Sequence, residues 1–133
     1  MHNIHAAIAL FGEAEKGRFH SLTRVASLEQ LNELFGHPTE DSQGLLFAIQ
    51  FLLYNYEVIY LRIEEEGFDR NNYLEGIQLL HESRKDLNLA AICMPGVGDP
   101  DILSECSSVC QHYQAYLIMT EKDLYDYCTS FQA

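Results

Sequence analysis

Positive charge is scarce in this sequence. Eight Lys and Arg residues stand against twenty Asp and Glu residues, so the formal net charge is −12 over 133 residues. A field of that sign repels the phosphates of nucleic acids and the headgroups of anionic lipids. We therefore expect no nucleic-acid or membrane partner. We expect the negative charge either to attract a cationic patch on a partner protein or only to keep the protein soluble.

The sequence also lacks the marks of secretion and of membrane insertion. Its four cysteines have no CxxC spacing, and it opens without a basic segment followed by an apolar one. The longest apolar stretch, residues 45–54, contains a glutamine and is too short to cross a bilayer. These absences predict a cytoplasmic protein with reduced thiols.

Familiar nucleotide and metal motifs are missing as well. Gly12 and Gly17 bound a short polar turn, but the turn has neither a GK[ST] ending nor GxGxxG spacing. Its Glu13 and Glu15 would repel a phosphate group. The six histidines show no HxxxH or HExxH spacing. We expect no cofactor and no metal site.

Cysteines and a run of acidic residues leave chemical alternatives open. Cys93 lies near the end of a predicted strand, where it either packs in the core or acts as a nucleophile beside a histidine. Cys106 and Cys110 either pack as small hydrophobes or share a metal. Residues 64–66 and Asp69 form either a solvated loop or a metal or acid–base cluster. We favour the packing and loop interpretations, and therefore expect no catalytic residue.

Apolar strands alternate with helices along the chain. The strand patterns cover residues 5–12, 57–63, 87–96 and 115–120. Helices are predicted from the cap Ser27 to Gly36, from Asp41 or Ser42 to about residue 54, from Asn72 to about Lys85, and after Asp99-Pro100, with a terminal helical turn beyond residue 120. We predict one α/β domain, residues 1–133, a layered sandwich with a central, mainly parallel sheet of about four strands and helices on both faces.

Two glycine-rich turns follow predicted strands. Ligands of open α/β sheets bind at the carboxyl ends of the strands, so these turns are candidate sites for a ligand or a protein partner. The candidate residues are Gly12, Glu13, Gly17, Gly96, Gly98 and Asp99. The alternative for Asp99 is a purely structural role as the cap of the next helix.

Edge strands are the natural surface for assembly, because their N–H and C=O groups can pair with another chain. We take the predicted strands 58–63 and 115–119 as the candidate edges. The residues that represent them are Tyr60, Arg62, Tyr116 and Leu117.

Three segments carry a resemblance to a known family. They read "IALFGEAEKG", "RVASLEQLNELFG" and "GLLFAIQFLLYNYEVIYLRI", and the later "LNLAAICMPGVGDPDILSECSSVC" follows in the same order. In order and spacing they resemble the core of contractile tail sheath proteins of phages and related injection machines. The corresponding positions are Gly12, Ala14, Gly17, Ser27, Phe35, Gly36, Asn55 and the "YLRI" motif.

The resemblance spans residues 7–119 and implies a role without catalysis. Sheath subunits stack as rings, and extended arms at their termini add strands to a neighbour's sheet. On this interpretation the protein corresponds to the sheath core without the terminal arms, and is a structural assembly component that binds a protein partner or itself. The alternatives are a small α/β module that binds a partner or ligand at the carboxyl edge of the sheet, and an enzyme that uses Cys93.

Overall fold

The computed structural model describes residues 6–83 and 87–130, which form one five-stranded sheet with five helices. The strands are β1 (Ala7–Gly12), β2 (Thr23–Val25), β3 (Glu57–Arg62), β4 (Leu89–Cys93) and β5 (Tyr116–Ile118). The helices are α1 (Leu28–Phe35), α2 (Gly44–Leu53), α3 (Arg70–Glu82), α4 (Pro100–Tyr113) and α5 (Glu121–Thr129).

The sheet has the order β2-β3-β1-β4-β5 and is parallel except for β2, which runs antiparallel to β3. The predicted α/β class and mainly parallel sheet are confirmed. The sheet has one strand more than the approximate number of four, because the sequence pattern gave no sign of β2. This strand has only three residues, and only Val25 of them is buried.

The strand order corrects one of the two predicted edges. β3 pairs with β1 on one side and with β2 on the other, so Tyr60 and Arg62 lie on an interior strand. β5 pairs with β4 alone among the described strands, and Tyr116 and Leu117 therefore lie at an edge, as predicted.

Side chains of the central strands alternate between two apolar clusters, as the twofold period of a strand requires. Ala9 and Phe11 of β1 belong to a cluster that also contains residues of α3 and α4. Leu10 of β1 belongs to a second cluster that contains residues of α1 and α2. All six residues of β1 are buried, because β1 is the central strand.

Two of the predicted helix caps are confirmed. The Ser27 hydroxyl accepts a hydrogen bond from the backbone N–H of Gln30, and the Gln30 side chain accepts one from the N–H of Ala26. The Asp99 carboxylate accepts hydrogen bonds from the N–H groups of Asp101 and Ile102 at the start of α4.

Two other predicted caps are wrong. α2 begins at Gly44 after Gln43, beyond the predicted Asp41 or Ser42, and Gln43 makes no side-chain cap. α3 is capped by Asp69, three residues before the predicted Asn72. The predicted end of α3 at Lys85 lies outside the described residues. The predicted terminal turn is a helix of nine residues, α5.

Candidate functional site

A single carboxylate binds backbone N–H groups at the first glycine turn, residues 12–17, at the carboxyl edge of the sheet. We call this edge closed because such N–H groups are bonded to the protein's own carboxylates. Glu66, in the loop after β3, accepts hydrogen bonds from the N–H groups of Glu13 at 3.0 Å, Gln43 at 2.8 Å and Gly44 at 3.0 Å. Two of these donors belong to the start of α2, where the helix dipole favours a negative charge. The protein's own side chain thus occupies the place where a phosphate would bind.

Glu13 and Glu66 hold each other in a reciprocal arrangement. The backbone N–H of Glu66 donates to the Glu13 carboxylate at 2.9 Å, while the N–H of Glu13 donates to Glu66. Beside them, the buried Tyr60 hydroxyl donates to the Glu13 carbonyl at 2.7 Å. Burial, together with the nearby carboxylates of Glu66 and Glu13, raises the pKa of Tyr60, so it stays a neutral donor.

Gly12 and Gly44 permit this closure because their backbones touch. A β-carbon on Gly44 would lie 2.6 Å from the Gly12 Cα and would overlap the Tyr60 hydroxyl. A β-carbon on Gly12 would meet the same neighbours. Both positions therefore need glycine for space, as close backbone approach generally does.

Arg62 stabilises the rest of the first turn through hydrogen bonds to its backbone carbonyls. Its guanidinium donates to the carbonyls of Gly17 at 2.7 Å and Ala14 at 2.9 Å, and it lies 4.1 Å from the centre of the Phe19 ring. Arg62 therefore stabilises the loop after β1 through contacts within the chain.

Carboxylates also close the second glycine turn. The buried Asp123, from α5, accepts a hydrogen bond from the Gly96 N–H at 2.9 Å. Gly98 lies against α5 so closely that a β-carbon there would be 2.9 Å from the Asp123 carbonyl oxygen. Asp99 caps α4 and binds the Arg70 guanidinium at 2.7 Å, which lowers the pKa of Asp99.

The loop after β3 brings the two predicted turns together. Its Glu66 binds the first turn, while a β-carbon on the next residue, Gly67, would lie 2.5 Å from the Gly96 carbonyl oxygen of the second. All six predicted turn residues thus belong to one edge of the sheet or its immediate supports. The N–H groups of Glu13 and Gly96 are bonded to carboxylates of this chain, which suits a rigid scaffold better than an anion site.

The predicted solvated acidic loop needs one correction. Glu64 and Glu65 are exposed, but Glu66 is half-buried and closes the first turn. Asp69 is exposed and caps α3. Among residues 6–83 and 87–130, no group of three or more His, Cys, Asp or Glu side chains could hold a metal ion.

Cys93 is enclosed in the cluster formed by α1 and α2, with 1% of its surface exposed. Burial raises the pKa of its thiol to about 12, so it carries a proton at neutral pH. Cys106 and Cys110 are buried in the other cluster with Leu103 and Val109, where they pack as small hydrophobes.

We expect one of the four thiols to react rapidly with an aromatic disulfide reagent in the folded protein at pH 8. Cys128 is the exposed thiol, whereas Cys93, Cys106 and Cys110 are buried. The number of thiols modified over time, measured by absorbance, checks this. Cys128→Ser should abolish the rapid phase. Rapid modification of Cys93 in that variant, located by mass spectrometry, would contradict its burial.

Strand β5 is the predicted edge at which one side of the strand is not paired with another described strand. Tyr116 is 80% exposed, and Leu117 and Ile118 are half-buried. Within the described part of the chain, the outer side of β5 has no strand beside it. Its short length matches the way native sheets limit unwanted edge pairing.

No protein-family model and no curated protein matches the chain. No helix in the described ranges is long and apolar enough to span a bilayer. The tail-sheath resemblance therefore rests on the order and spacing of the sequence segments alone.

The sequence reasoning missed Asp123 entirely and the capping role of Glu66. Each of these carboxylates binds backbone groups more than twenty residues away along the chain. One signal was present in the sequence: α2 begins with a glycine and has no acidic residue in its first turn. A helix start without a local cap requires a partner from elsewhere.

Proposed function

We propose that the protein is a non-enzymatic assembly component, related to the core of contractile tail sheath subunits. In this proposal β5 accepts an extended segment of a neighbouring subunit, which continues the sheet. The observation that carries it is the open outer side of β5, where Tyr116 is 80% exposed. Strand addition at such an edge uses main-chain hydrogen bonds for affinity.

The closed carboxyl edge supports a role without catalysis. The turns at which an α/β protein would hold a phosphate contain Glu66, Asp123 and Asp99, each bonded to backbone N–H groups of this chain. Cys93 is a buried, protonated thiol without the activation that a nucleophile needs. Four free cysteines favour a reducing compartment, and we infer a cytoplasmic location.

We expect the purified protein to form larger species as its concentration rises, and Tyr116→Lys to weaken that association. A lysine blunts an edge strand because its charge must be desolvated when another strand pairs there. We expect the dissociation constant to rise at least about tenfold, measured by sedimentation at low and high salt.

Tyr125→Lys is the matched control, because Tyr125 is 67% exposed on α5 and the change in charge is the same. It should associate like the wild type. A strict monomer at every concentration would contradict the proposal. Equal weakening by both lysine variants would also contradict it, since the effect would then come from net charge.

A further inference from the structure

A second open surface lies on α2, the helix whose first residues are bonded to Glu66 at the carboxyl edge. Leu46 is 56% exposed and Leu53 is 65% exposed, although a helix that is apolar around most of its circumference is usually buried. Together with Ile49 they form a stripe at spacings of three and four residues, which places them on one side of α2. We call the outward-facing residues of α1 and α2 the α1–α2 surface.

An apolar groove runs into this surface between the two helices. It has a volume of about 230 Å³, and its lining includes Leu28 and Leu31 of α1 and Leu45 and Ile49 of α2. Leu28 is itself 42% exposed at the rim. A groove of this kind accepts the apolar side chains of an amphipathic helix, which present themselves at spacings of three, four and seven residues.

The segment that forms α1, α2 and the loop between them carries formal charge of one sign. Residues 25–61 contain no Lys or Arg. Acidic residues are exposed on α1 and in the loop that leads to α2: Glu29, Glu33, Glu40 and Asp41. A partner with positive charges beside its apolar stripe would therefore be complementary to this surface.

We propose that the α1–α2 surface binds a basic amphipathic helix of a partner protein. A second copy of this chain fits less well at this surface, because it would bring the same acidic residues of α1 and the following loop to the interface. A lipid surface fits less well too, since anionic headgroups would be repelled. This binding is independent of strand addition at β5.

A synthetic peptide tests the surface directly. The probe is a fluorescein-labelled helix of about 18 residues with leucines on one stripe and lysines elsewhere, used at ~150 mM salt to screen non-specific attraction. We expect saturable binding by fluorescence anisotropy. The double variant Leu28→Gln/Leu46→Gln should weaken it at least about tenfold.

Two controls separate a shaped surface from simple charge attraction. Leu124→Gln alters a leucine that is 50% exposed on α5, and should leave the affinity unchanged. A peptide with the same residues in an order that breaks the stripe should bind at least about tenfold more weakly. All the glutamine changes preserve net charge, so electrostatic attraction stays constant.

Four outcomes would overturn the proposal. The first three are equal affinity for the two peptides, equal affinity of the double variant and the wild type, and no saturable binding. A fourth is reduced self-association of the double variant with peptide binding retained, which would make the surface an interface between copies. Because Tyr116→Lys leaves this surface intact, it should bind the peptide normally even if β5 assembly fails.

Discussion

Replacement of Gly44 by alanine is expected to lower the free energy of unfolding by about 2 kcal/mol. Helix propensity alone predicts the opposite sign, since alanine is favoured over glycine by about 1 kcal/mol within a helix. The packing cost should win because the new β-carbon would lie 2.6 Å from the Gly12 Cα and would overlap the Tyr60 hydroxyl. Backbone at Gly12 has little room to move, since β1 is the buried central strand.

Urea denaturation measures this change, with Gln50→Ala as the control on the same helix. Gln50 is exposed, so its replacement should alter stability by less than about 0.5 kcal/mol. Increased stability of Gly44→Ala would show that the two backbones do not touch, and would remove the steric reason for a glycine at the start of α2.

Glu66→Gln is expected to lower the free energy of unfolding by about 2–3 kcal/mol. The substitution keeps the shape but removes the charge that accepts from Glu13, Gln43 and Gly44. The new amide N–H₂ group would also face backbone donors, so part of the bonding is lost rather than weakened. The start of α2 would lose its acceptor, because Gln43 offers no cap.

Glu64→Gln provides the matched control. Glu64 lies two residues before Glu66 and is exposed, and its replacement removes the same charge. We expect a change within about 0.5 kcal/mol. Similar stability of the two variants in urea would mean that the carboxylate of Glu66 does not hold the first turn. The closed edge, and with it an argument for a scaffold role, would then fail.

Most of the sheet could be predicted because its strands carry dense apolar patterns. All six residues of β1 and the four middle residues of β3 are buried, which is what strands covered on both sides contain. β2 could not be found in this way, because Thr23 is half-buried, Arg24 is exposed and only Val25 enters the core. Missing β2 placed β3 wrongly at an edge, so one local omission changed a prediction about assembly.

The candidate site was predictable only in its location. Glycines after strands pointed to the carboxyl edge, and the structure places Gly12 and Gly96 there. What fills that edge depends on contacts between distant segments, such as Asp123 with Gly96. Local patterns of charge carry no information about such pairs, so Glu66 looked like one member of a solvated acidic run.

Amide hydrogen exchange of β5 across protein concentrations tests the central claim, that this strand is the assembly edge. Exchange at Tyr116–Ile118 should slow as larger species form, because outward N–H groups gain partners in an added strand. The interior strand β3 should show no comparable change. Unaltered exchange in β5 while the mass rises would contradict the account and place assembly elsewhere on the protein.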